Sequence, residues 1–104
     1  MTTVAKILDS IQGKFNKEAA AGIDIVFQFS IDDSEQFFLT VSNQECELSQ
    51  GEHEDPSVTL IMTSETLASI ASGELGGMQA FMTGKLKTEG NMMLATKLSD
   101  LFGL

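Results

Sequence analysis

Apolar residues recur three and four apart from Val4 through Ile7, Leu8, Ile11 and Phe15, with Lys6, Asp9, Lys14 and Lys17 off that stripe. The spacing predicts an opening amphipathic helix. Gly22 closes the stretch and the period changes to two: Ile23, Ile25, Phe27, Phe29 and Ile31 alternate with Asp24, Val26, Gln28 and Ser30, as in a strand with one buried face. Asp32-Asp33-Ser34 supplies a turn, and Phe37, Leu39 and Val41 alternate again up to Asn43-Gln44, where asparagine tolerates the positive φ of a tight hairpin. Cys46 and Leu48 then point inward and Glu45 and Glu47 outward, so three strands form a meander. After a loop from Gln50 to Ser57, with Gly51 and the single proline, Pro56, residues Val58, Leu60 and Met62 make a fourth strand that extends it.

Thr63 or Ser64 caps a helix with Glu65 in its first turn, Leu67, Ile70 and Ala71 on one face, and Gly73 as its stop. A short helix follows from about Gly77 through Met78, Ala80, Phe81 and Met82 and ends at Gly84. Lys85 to Glu89 reads as a brief fifth strand. Gly90 turns the chain, and Asn91 caps one last helix with Leu94, Ala95, Leu98, Leu101 and Phe102 inside. The order of elements implies an α+β layer structure in which helices pack on the apolar face of one sheet.

At 104 residues one domain, spanning 1–104, is the expectation, with enough chain to bury a core without disulfides. The net charge of −9, with no arginine and six lysines confined to the two ends, argues against nucleic acid, whose phosphates require cationic partners. Cys46 is the sole cysteine, which excludes an intrachain disulfide and any paired-cysteine motif. Neither a signal peptide nor a membrane span is legible, and Phe102-Gly103-Leu104 does not match a peroxisomal Ser-Lys-Leu address, so a soluble, cytoplasmic domain is expected.

The chain offers few groups suited to catalysis. His53, within Glu52-His53-Glu54-Asp55, has the wrong spacing for a helical zinc site and reads as part of a polar loop. Cys46 and His53 are the one candidate nucleophile and base, and Cys46 reads more simply as a small buried thiol. Gly73 to Gly77 lacks the spacing of a dinucleotide loop, and Gly84-Lys85 is followed by Leu86 rather than the hydroxyl residue of a phosphate loop. No cofactor, metal or catalytic activity is expected. The methionines are more suggestive: beyond Met1, all lie between Met62 and Met93, interleaved with Phe81. As flexible, polarizable side chains they suit either irregular core gaps or a wall that fits variable apolar shapes.

Gln79-Ala80-Phe81-Met82-Thr83-Gly84-Lys85-Leu86-Lys87, continuing Thr88-Glu89-Gly90-Asn91-Met92-Met93-Leu94-Ala95-Thr96-Lys97-Leu98, resembles the AFxxGKLKxxGN motif and final helix of the sterol carrier protein 2, or nonspecific lipid-transfer protein, family. Val58-Thr59-Leu60, Ser72-Gly73-Glu74 and Val26-Phe27-Gln28-Phe29 extend that resemblance over essentially the whole chain. It implies a five-stranded, mixed but mostly antiparallel sheet, covered on one face by helices. It also implies an apolar tunnel between the layers that takes fatty acids, fatty acyl-CoA, sterols or phospholipid chains.

Mapped onto this chain, the implied tunnel wall comprises Phe27, Phe29, Leu39, Leu60 and Met62 from the sheet, and Met78, Phe81, Met82, Met92, Met93, Leu98, Leu101 and Phe102 from the later helices. Lys85 and Lys87 are the candidate headgroup contacts, since an anionic lipid should meet an acidic protein at a basic end. The expectation is a stand-alone, non-enzymatic lipid carrier with transient membrane contact, cytoplasmic by its C-terminal residues, with a peroxisomal location as the alternative that the family resemblance implies. The alternative is a substrate-presenting or regulatory module that docks on a lipid-metabolising enzyme.

Overall fold

In the computed structural model, residues 4–32 and 36–103 are described, with the backbone alone at Met92 and Ala95. Helix α1 (Val4–Gln12) buries Val4, Ile7, Leu8 and Ile11, as its stripe predicts. It ends earlier than the apolar spacing suggests. Phe15 leaves the helical path after Gly13 and lies instead against the ring of Phe102, centroids 5.6 Å apart. Asn16 fixes this departure: its backbone N–H donates to the Leu101 carbonyl at 2.7 Å, and its side-chain oxygen accepts from the N–H groups of Glu18 and Ala19.

Strands β1 (Ile25–Ile31), β2 (Phe37–Ser42) and β3 (Glu45–Gln50) form the expected antiparallel meander. β1 begins at Ile25 rather than Ile23. The β2–β3 turn places Asn43 at φ 54° and Gln44 at φ 60°, the pair of left-handed residues that matches the twist of a two-residue hairpin. Of the Asp32-Asp33-Ser34 turn, Asp33 and Ser34 lie outside the described residues.

β4 (Val58–Met62) corrects the sequence reading: it is not the fourth strand of a meander but pairs parallel to β1, with Phe27 beside Val58 and Phe29 beside Leu60. The loop from β3 crosses the outer face of the sheet to reach that position, and Gln28 holds it there. Only 4% exposed, Gln28 donates through Nε2 to the carbonyls of Phe37 and Gly51 at 3.2 and 3.0 Å, and its Oε1 accepts from the His53 N–H at 2.8 Å. Ser57 completes the crossing, its Oγ accepting from Val26 N–H and its N–H donating to the Val26 carbonyl.

α2 (Ser64–Ser72) has Thr63 as its cap, accepting from Thr66 N–H, and Gly73 as its left-handed stop at φ 86°. α3 (Gly77–Met82) ends as expected near Gly84, φ 80°. β5 (Lys87–Gly90) adds antiparallel to β4 and completes the sheet order β3-β2-β1-β4-β5. It starts two residues later than expected, because the N–H groups of Lys85 and Leu86 both donate to the Ala80 carbonyl and so belong to the end of α3.

The last helix is two helices, α4 (Met92–Ala95) and α5 (Lys97–Phe102). Thr96 explains the break. Its hydroxyl donates to the Met93 carbonyl at 2.6 Å, so the side chain competes with the helical backbone where an uninterrupted apolar spacing gives no warning. The side chain of Ala95, expected on the inner face, lies outside the described residues.

One buried cluster joins the inner face of the sheet to the helices. α5 reaches the middle of the sheet through Phe102, whose ring meets that of Phe27 edge-on at 6.2 Å. α1 covers the β3 end, where the Gln12 amide donates to the Cys46 carbonyl at 2.8 Å.

Candidate lipid-binding site

Strand register sets the inner wall. One row runs Leu48, Leu39, Phe27, Val58 and a second runs Phe37, Phe29, Leu60, Thr88. Leu39, Phe27, Phe29 and Leu60 are fully buried, with Met62 at the far end of β4. From the helical layer, Leu98, Leu101 and Phe102 close on these rows, so eight of the expected wall residues meet in one apolar interior. Thr88 is the polar exception in the layer: its Oγ1 is buried without a hydrogen-bond partner.

The other expected wall residues are placed differently. Met78 is 58% exposed, Phe81 36%, Met82 78% and Met93 78%. In α3 it is Ala80 that is buried, and the larger apolar side chains occupy the opposite, outward face. The small Ala80 lets the helix lie close to its neighbours, and Leu86 fills the adjacent interior. Met92 starts α4, and its side chain lies outside the described residues.

Lys85 and Lys87 are both exposed but do not share a face. Lys87 pairs with Ile61 and therefore lies on the sheet face opposite Leu60 and Thr88, while Lys85 occupies the turn after α3. A notch of ≈ 340 Å³ lies elsewhere, lined by Gly22, Ile23, Asp24, Asn43 and Gln44, and its polar rim offers little to an alkyl chain.

The candidate nucleophile and base are held apart by the sheet. Cys46 pairs with Val41 on the inner face, whereas His53 packs edge-on against Phe38 on the outer face at 5.2 Å and accepts from Asp55 N–H through Nδ1. Burial pushes the Cys46 thiol up from 9.0 to about 11, which removes the thiolate at neutral pH. Since the native state holds this proton more tightly than the unfolded chain, the Cys46 contribution to stability is intact below pH 9 and is lost as the pH rises toward about 11. Cys46 should therefore alkylate with iodoacetamide far more slowly in folded protein at pH 8 than after unfolding in urea; equal rates would place the thiol in solvent. Among the described residues no group of three or more His, Cys, Asp or Glu side chains could hold a metal ion, and no helix is long and apolar enough to cross a membrane.

Residues 5–103 match the model of the SCP-2 sterol transfer family. The chain belongs to that family of lipid carriers. Its fold overlays that of the sterol carrier protein 2-like 2 of Aedes aegypti in palmitated form, with a TM-score of 0.77 and 25% identity over 95% of this chain and 93% of that one. The sec-alkyl sulfatase Pisa1 of Pseudomonas sp. contains the same fold, with a TM-score of 0.85 and 22% identity over 97% of this chain and 16% of that chain. In sequence, the chain is 38% identical over 77 residues to the hydroxysteroid dehydrogenase-like protein 2 of Homo sapiens, covering 73% of this chain and 18% of that protein. It is 48% identical over 46 residues to the peroxisomal multifunctional enzyme A of Dictyostelium discoideum, covering 44% of this chain and 10% of that enzyme. The SCP-2 chain thus spans under a fifth of the length of the sulfatase, the hydroxysteroid dehydrogenase-like protein 2 and the multifunctional enzyme A.

Thr88 and Ala80 are inward residues that the expected wall did not include. The signal for Thr88 was its alternation with Lys87 and Glu89, which register with β4 turns into an inward position.

Proposed function

We propose that this SCP-2 domain carries single-chain lipids, fatty acids, fatty acyl-CoA or sterols, in its interior and catalyses no reaction itself. The observation that carries the reading is the inner sheet layer: Phe27, Phe29, Leu39 and Leu60 form a continuous apolar floor under two short helices that join at Thr96. Burying a chain of about sixteen carbons at about 0.8 kcal/mol per methylene yields roughly 11 kcal/mol, within the estimated association cost of about 4–15 kcal/mol. From a membrane donor that apolar gain nearly cancels, so loading and release are both accessible. The separation of Cys46 from His53 supports a role without catalysis.

The outward Met78, Phe81 and Met82 of α3, followed at once by Lys85, suit the side that meets a membrane during exchange, where apolar side chains enter the interface and a cation faces anionic headgroups. Lys85→Glu should weaken fatty acyl-CoA binding about threefold to tenfold at low salt, with a smaller effect on an uncharged sterol and a smaller difference in added salt. Lys87→Glu, on the other sheet face, should do less. Equal losses for both ligands, measured by fluorescence titration, would move the charged headgroup away from Lys85.

The length comparison favours a second reading. Because the hydroxysteroid dehydrogenase-like protein 2 and the multifunctional enzyme A are several times longer and bear enzyme names, the domain would present lipid to a lipid-metabolising enzyme, and co-purification with such an enzyme would distinguish that role from a free carrier.

A further inference from the structure

Thr88 lies in β5 opposite Leu60, in the row that continues through Phe29 to Phe37. Its chain neighbours Lys87 and Glu89 pair with Ile61 and Thr59, on the other face of the sheet. Among the described residues, Thr88 Oγ1 is the buried side-chain oxygen without a hydrogen-bond partner. Such a hydroxyl destabilises a fold, and valine has the same shape, suits a strand and would leave nothing unpaired. Above it lies α4, a helix of only four residues that packs against β4 and β5 and is severed from α5 at Thr96. This part of the apolar floor therefore has its shortest cover where it carries its one polar atom.

We propose that Thr88 is the polar anchor of the lipid site, its Oγ1 exchanging a hydrogen bond with the hydroxyl of a neutral long-chain alcohol or sterol whose apolar body lies along Leu60 and Phe29. The assignment rests on the carrier reading and narrows its ligand class. A hydroxyl both donates and accepts, so it satisfies Thr88 while being satisfied by it. A carboxylate drawn to the same place would be stripped of water for one neutral hydrogen bond, with Lys87 on the far side of the sheet and Lys85 exposed in the turn after α3. Charged headgroups therefore remain at the surface, and an uncharged hydroxyl is the group that Thr88 receives.

The test measures transfer from neutral phosphatidylcholine vesicles to protein for hexadecan-1-ol against hexadecane, and for cholesterol against cholest-5-ene, with wild type, Thr88→Val and Thr88→Ser. For at least one alcohol, Thr88→Val should reduce binding about fivefold to tenfold while its hydrocarbon partner changes less than about twofold, and Thr88→Ser should retain most of the binding. Which alcohol shows the difference identifies the linear or the sterol class. Without lipid, Thr88→Val should melt at the wild-type temperature or higher, which shows that the variant is folded. If Thr88→Val alters alcohols and hydrocarbons equally, or neither, the anchor is overturned and the carrier reading stands. If wild type takes up none of the four lipids but binds hexadecanoic acid, the anchor is overturned and the carrier reading stands; if hexadecanoic acid is not bound either, the carrier reading falls and the anchor with it.

Discussion

Replacing Phe27 with alanine is expected to lower the unfolding free energy by about 3–5 kcal/mol, a large share of the roughly 5–15 kcal/mol that a domain of this kind possesses. Phe27 is fully buried at the centre of the sheet, flanked in register by Leu39 and Val58, and its ring receives that of Phe102 from α5. Truncation removes the apolar contacts of the ring and leaves a void between strand and helix that neither element can readily close, since β1 is paired on both sides and α5 is tied to Asn16 through the Leu101 carbonyl. Urea unfolding followed by far-ultraviolet circular dichroism checks the value. Phe27→Leu, which retains most of the volume, should cost appreciably less. A loss under about 1 kcal/mol for the alanine variant would mean that α5 does not pack on β1 as described.

Gln28→Leu should cost about 2–3 kcal/mol although it replaces a polar side chain with an apolar one of similar size. The carbonyls of Phe37 and Gly51 and the N–H of His53 each lose a hydrogen bond, and a buried group left unpaired carries a penalty of about 1–3 kcal/mol, lower where water or the strand ladder still reaches it. The loss should be local first: amide exchange at His53 should accelerate before the β1–β2 pairing is affected, because Gln28 ties the crossing loop to the sheet. A variant as stable as wild type, with unchanged exchange at His53, would show that the loop holds its course without Gln28.

Gln28 also illustrates where sequence reading stops. Its place on the outward side of an alternating strand was legible from the period of two, and so were α1, the two hairpin residues Asn43 and Gln44, and the Thr63 cap. Those features depend on neighbours in the chain. The parallel pairing of β4 with β1 joins residues far apart in the chain, and the loop that leads to it is held by three hydrogen bonds from Gln28, a role that nothing local in Gln28 distinguishes from solvent exposure. Thr96 breaks the last helix by a side-chain bond to Met93, whereas the apolar spacing from Leu94 to Phe102 runs through the break unaltered. In the candidate site, the sheet residues Phe27, Phe29, Leu39, Leu60 and Met62 were recoverable because alternation fixes a face once one side is buried. The α3 residues were harder: Met78, Phe81 and Met82 share one side of the helix and Ala80 the other, and hydrophobicity alone favours burying the larger set. Lys87 could be placed only by knowing its register opposite Ile61.

A lipid carried in the interior has its chain between the inner sheet layer and α5. Isotope-filtered nuclear Overhauser spectra of methyl-labelled protein with unlabelled hexadecanoic acid test it most directly. Contacts are expected from the alkyl chain to the methyl groups of Leu39, Leu60, Met62, Leu98 and Leu101, at one lipid per protein. Contacts confined to the exposed Met78, Met82 and Met93 methyls, with the interior methyl groups unchanged, would contradict it.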